Sequence, residues 1–216
     1  MYNNSFSYLR NIVFSREEGT LFSVQDLVAG LNAFDPEASY DSVRRVLSDL
    51  SQKGCIQRIC NGIYRKVNVE SALANTAPSV DEVLALLARD NNWIIRPGTE
   101  MAREMLGLSF DPAHRNVYAC SGLSYKYTLS TGGVFRLEKC SGKFMTADAV
   151  TEKAAIVTIA LLDLGNHRIS AEELAHLSKT LTKEEKFDLI RAIPYVPARL
   201  RPVFEIICGI YGIGGR

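Results

Sequence analysis

Six cationic side chains, Arg44, Arg45, Lys53, Arg58, Arg65 and Lys66, fall between Ser42 and Lys66 against one carboxylate, Asp49. The stretch carries a local charge of +5 in a chain whose formal net charge is only +1, so the remainder is net acidic. Guanidinium and ammonium groups at this density neutralise phosphates and release counterions, which makes a polyanion the partner that fits. Arginine can also read guanine with two parallel hydrogen bonds, and Ser42 and Gln52 can meet base edges.

The other reactive residue types give weaker patterns. The five cysteines, at positions 55, 60, 120, 140 and 208, follow no metal-ligand or disulfide spacing and suit a reducing cytoplasm. Cys55 and Cys60 flank one short run, but no second Cys or His pair completes a tetrahedral zinc set. Cys120 and Cys140 have no local histidine to act as a base. His114 follows a proline on a loop, and His167 and His176 are not on adjacent helical turns. The carboxylate pairs Glu172-Glu173 and Glu184-Glu185 fit favourable charge in first helical turns better than acid-base catalysis. The glycines from 209 to 215 precede no strand-helix unit that could present a dinucleotide. The reading is therefore of a non-enzyme with no metal and no cofactor.

The elements that must position the cations come in a definite order. Phe6, Leu9, Ile12 and Val13 share one face of a first helix. Ser23 with Asp26 has the spacing to cap a second, which Gly30 can end. After Asp35-Pro36 and Ser39, a third helix buries Val43, Val46, Leu47 and Leu50 and presents Asp41, Arg45, Ser48 and Gln52, with Arg44 on the flank. Gly54 stops it. Two short strands then flank Asn61-Gly62, a pair suited to a two-residue hairpin because both residues tolerate positive φ. Arg58 and Arg65 are the expected outward reaches of this hairpin, and Tyr64 is expected to pack at its base. Helix, helix, helix, hairpin is the order of a winged helix-turn-helix, a module that binds DNA or serves as a protein contact.

A polar, proline-containing stretch near residues 68–78 separates a first domain, 1–70, from a second, 79–216. Ser79 with Glu82 opens a helix, and "NWIIRPG" is an extended entry to another, capped by Thr99 and closed by Gly107. The runs "NVYAC", "YKYTLS" and "VFRLEK" suggest an antiparallel meander, with Tyr125, Tyr127 and Leu129 on one face. Helices follow over 148–164, 170–181, 182–193 and 197–208, and Ser170/Glu173 and Thr182/Glu185 have capping-box spacing. The apolar run from Ala154 to Leu162 is too short to cross a bilayer and reads as a buried helix. The fold class expected is α+β: an N-terminal winged helix-turn-helix, then an α+β domain with a small antiparallel sheet and C-terminal helices.

The segment "SVRRVLSDLSQKGCIQRICNGIYRK", followed at the right distance by "IIRPGTEMAREMLGLSFDPAHRNVYACSG", resembles the AbiEi-like antitoxins of type IV toxin-antitoxin systems and the related DUF6088-type proteins. That resemblance implies a bacterial repressor whose N-terminal domain binds double-stranded promoter DNA. It also implies a nucleotidyltransferase-like toxin as partner, counteracted directly or only functionally. Carried over by position, DNA contact would fall on Ser42, Arg44, Arg45, Gln52, Arg58, Arg65 and Lys66. Asn61 and Gly62 would form the wing turn, and Pro97-Gly98 would shape the entry to the second domain's helix. A protein-interaction adaptor, with the winged helix as scaffolding, is the competing reading.

Overall fold

The computed structural model describes residues 2–33, 35–36, 38–67, 78–162 and 169–210, with side chains from residue 7 onward. Residues 68–77 of the linker expected at 68–78, His167 and most of the glycine-rich tail lie outside the described residues, as does the side chain of Phe6. The described residues form a mixed α+β fold with two small sheets, and the chain divides into two compact units.

The first unit comprises residues 1–93 together with Tyr127–Val134. Helix α1 (Tyr2–Ser15) buries Leu9 and Val13, and strand β1 (Leu21–Ser23) buries Phe22. Helix α2 (Val24–Asn32) starts at Ser23, whose hydroxyl oxygen accepts from the Asp26 amide at 2.9 Å. It runs past Gly30 rather than ending there, because Leu31, almost wholly buried, anchors a further turn in the core.

Helix α3 (Tyr40–Gln52) has a complete capping box: the Ser39 hydroxyl accepts the Ser42 amide at 3.2 Å, and the Ser42 hydroxyl accepts the Ser39 amide at 3.1 Å. Val43, Leu47 and Leu50 are buried and Val46 packs beside them, as the helical period requires. Gly54, at φ +72°, supplies the left-handed residue that ends the helix. Strands β2 (Ile56–Cys60) and β3 (Ile63–Lys66) follow, and β3 lies between β1 and β2, antiparallel to both. One core joins α1, α2, α3 and this sheet, with Phe22 and Tyr64 stacked at 6.3 Å between ring centres.

Helix α4 (Val80–Asn91) opens on the predicted box of Ser79 and Glu82. The expected second domain begins at residue 79, but α4 packs with β1 and α2 and belongs to the first unit. Its Asp90 carboxylate, 3% exposed, accepts the Ser23 hydroxyl at 2.5 Å and ties α4 to the start of α2.

The second unit comprises residues 94–126 and 135–216. It holds β4 (Ile95–Pro97), α5 (Thr99–Met105), β5 (Val117–Cys120), β6 (Tyr125–Thr128, whose last two residues belong to the first unit) and β7 (Val134–Lys139, whose first residue does too). The sheet order is β4-β5-β7-β6. The antiparallel meander is therefore corrected: β5 and β7 pair in parallel, Val117 opposite Arg136 through Cys120 opposite Lys139. The burial pattern explains the order. Phe135 and Leu137 make β7 fit for the interior, whereas β6 exposes Tyr125, Lys126 and Thr128 and buries Tyr127.

Thr99 is the first residue of α5 and not its cap; Gly98 holds the cap position. The remaining helices are α6 (Lys143–Thr146), α7 (Glu152–Ala160), α8 (Ala171–Thr180), α9 (Lys183–Ala192) and α10 (Arg201–Cys208). Every residue of α7 from Ala154 onward is buried, which is why it reads as uniformly apolar. Thr158 satisfies its hydroxyl on the Ala154 carbonyl at 2.7 Å. Arg103 of α5 binds the unit internally through Glu173 at 2.5 Å and the Ser109 carbonyl at 2.6 Å.

Candidate nucleic-acid interface

The cations of residues 42–66 divide into those held by the protein and those left to solvent. Arg44 and Arg45 are exposed on α3, and neither makes an ion pair among the described residues. Gln52 is exposed at the end of the same helix. Arg58 is exposed on β2, where its Nη2 donates to Asn61 Oδ1 at 3.1 Å and its Nε to the Cys60 carbonyl at 3.4 Å. These bonds brace the guanidinium against the turn without neutralising it.

The acid that would repel phosphate is neutralised. Asp49 accepts Lys53 Nζ at 2.8 Å and lies 3.5 Å from Arg10 Nη2. The Lys53 hydrogen bond, and then the charges of Lys53 and Arg10, hold its carboxyl below the ordinary carboxylate value. Asp41 is exposed in the first turn of α3, where negative charge suits the helix dipole.

Three expected contacts are placed otherwise. Arg65 is 4% exposed, because β3 is the central strand and β1 covers its far side; its Nη2 donates to Gln57 Oε1 at 2.7 Å. It is a structural arginine and not an outward reach. Lys66 donates to the Phe14 carbonyl at 2.6 Å and lies over the Phe14 ring, so it caps the C-terminal end of α1. The Ser42 hydroxyl is engaged by the capping box, donating to the Ser39 carbonyl at 2.7 Å.

The turn is tight but differs from the mirror-image type expected. Gly62 has φ +75°, whereas Asn61 is not among the residues with positive φ. The pairing slips between Arg58 and Cys60, which makes Ile59 the extra residue of a bulge. The bulge lies directly after Arg58, and such an insertion locally bends its strand. Beneath it, Tyr64 is buried as expected. Its phenol is raised by burial, and the charges of Arg58 and Arg44 oppose that shift. One cation from α3 and one from the hairpin thus bear on the same point.

One residue at this junction has no cationic signal in the sequence. Tyr40, the first residue of α3, is 44% exposed, and its hydroxyl oxygen lies 3.0 Å from where a Cβ on Gly62 would stand. A turn residue resting against a helix start is a tertiary contact that no local spacing announces. A second basic feature, in the other unit, is equally long-range: Lys126, Arg136 and Lys139 line an open groove of about 540 Å³ beside Tyr125 and Glu138.

The reactive candidates remain dispersed. All five cysteines are free, and burial raises the thiols of Cys60, Cys120, Cys140 and Cys208, that of Cys60 to about 11. His114 pairs with Asp111 at 2.9 Å on an exposed turn, and His176 Nε2 meets the Leu106 carbonyl at 3.0 Å. Glu173 and Glu185 close capping boxes. Among the described residues no group of His, Cys, Asp and Glu could hold a metal ion, and no helix is long and apolar enough to cross a membrane.

Comparison with curated proteins and with solved structures found no match. Comparison with protein families matches residues 9–189, which takes in α3, the hairpin and most of the second unit. The chain therefore belongs to the DUF6088 family, a family of unknown function.

Proposed function

We propose that this protein binds double-stranded DNA through α3 and the β2–β3 hairpin, as a winged helix-turn-helix, and acts as an antitoxin-like transcriptional repressor. The observation that carries the reading is the exposed set Arg44, Arg45 and Arg58, on two adjoining elements, with Asp49 neutralised beside it. A helix of this diameter fits the major groove, and cations flanking it bind phosphates. Arg45 and Gln52, on the outer arc of α3, are the side chains assigned to base edges. Arg44 and Arg58 are assigned to the backbone. The resemblance of residues 42–66 and 94–122 to AbiEi-like antitoxins supports promoter DNA as the target and a nucleotidyltransferase-like toxin as the activity opposed.

The test is a fluorescence-anisotropy titration of the full chain with duplex DNA from upstream of its own coding sequence, at two salt concentrations. Affinity should fall steeply with salt, and the Arg44→Ala/Arg45→Ala/Arg58→Ala variant should lose most of it. Equal affinity of that variant and the wild type would sink the reading. A protein-contact adaptor predicts no salt-dependent DNA binding at all, so the same titration separates the two.

A further inference from the structure

The junction of α3 with the hairpin turn holds more than the arginines. Tyr40 leaves a large aromatic side chain 44% exposed at the start of the helix, with its hydroxyl against Gly62. No hydrogen bond to that hydroxyl occurs among the described residues. Arg44 stands four residues further on, hence over the same strip of helix surface. Arg58 reaches the turn from the other side, fixed by Asn61 and the Cys60 carbonyl. Tyr40 thus rests on Gly62, Arg58 is held by Asn61 next to that glycine, and Arg44 stands one helical turn from Tyr40, which gathers the three at the junction. Asp41 adjoins this point and makes no ion pair among the described residues.

Two cations and one neutral hydroxyl donor, converging from two elements, match a single phosphodiester group, whose non-bridging oxygens accept several hydrogen bonds and carry one negative charge. A base edge is a poorer fit, since it carries no net charge to balance two converging guanidinium groups. We propose that Tyr40, Arg44 and Arg58 clasp one backbone phosphate of a duplex between the helix start and the turn, with the Tyr40 hydroxyl fixing the register of α3 along the groove. This rests on the duplex-binding reading above.

The experiment uses the full chain and the same upstream duplex, with Tyr40→Phe as the variant. It removes one oxygen and keeps the ring. Affinity should fall roughly ten- to a hundredfold, the loss of one hydrogen bond to a charged group, while the dependence on salt stays the same because a neutral donor displaces no counterion. Arg44→Ala and Arg58→Ala should each weaken binding, and the double variant should lower the salt slope by about one, since the two cations share one phosphate. A second measurement replaces the duplex phosphates singly by neutral methylphosphonate. One position should weaken wild-type binding yet leave the Tyr40→Phe/Arg44→Ala/Arg58→Ala variant unaffected. Wild-type affinity in Tyr40→Phe, or no such position, overturns the clasp while duplex binding stands. Failure of the wild type to bind any duplex overturns both.

Discussion

Single atoms decide several positions. A Cβ on Gly98 would stand 2.4 Å from the Val117 carbonyl oxygen, where the Gly98 amide donates to that oxygen at 3.0 Å. Gly98→Ala should therefore push β4 from β5 and cost about 1–3 kcal/mol in a denaturant titration. Cys60 offers a chemical check. Burial holds its thiol near 11, so at pH 8.5 alkylation followed by peptide mapping should label the half-buried Cys55 well before Cys60 in folded protein, and both alike in denaturant. What was legible at this scale was the local part. Tyr64 packing inward followed from its place at the base of a hairpin. The burial of Arg65 did not follow, since it depends on β1, a three-residue strand more than forty residues earlier in the chain. Likewise Lys66 is used by α1, more than fifty residues earlier in the chain, and nothing near Lys66 signals that.

Elements were legible where their ends are written within four residues. Ser79 with Glu82, Ser170 with Glu173 and Thr182 with Glu185 all close as reciprocal boxes, because the partners span a single turn. Gly30 misled, as a helix-ending residue yields when Leu31 gains burial from continuing. The box at α9 makes a pH prediction. The Glu185 carboxylate accepts the Thr182 amide, the first cause holding its pKa below the ordinary 4.5, with Lys153 adding to it. A lowered folded-state pKa gives stability that is present above the ordinary value and lost as pH falls through the lowered one. Glu185→Gln should then melt below the wild type at pH 7, with the gap in Tm closing as the pH falls below about 4. Thr182→Ala, which removes the other half of the box, should cost about 1 kcal/mol.

At the scale of the molecule, chain order and packing part company. Sequence punctuation puts the division within 68–78, but packing on β1 and α2, with the Ser23–Asp90 hydrogen bond, assigns α4 to the first unit. Native-state hydrogen exchange should accordingly place the amides of α4 in the protection class of α2 and α3, and Asp90→Ala should lower the protection of all three helices together. Exchange of α4 with α8 to α10 instead would refute this grouping. The parallel pairing of β5 with β7 was likewise out of reach of any local pattern, because strand order is fixed by which strand can be buried on both flanks.

The same long-range logic has a bearing on solubility. Strand β2 is a sheet edge, and an uncovered edge invites another molecule to add a strand. Here the Ser130 amide, from the segment between β6 and β7, donates to the Ile59 carbonyl at 2.7 Å at the bulge. A loop borrowed from far along the chain thus blunts a docking edge, and molecules that lose this cover under mild heating gain a route to clumping that begins at β2.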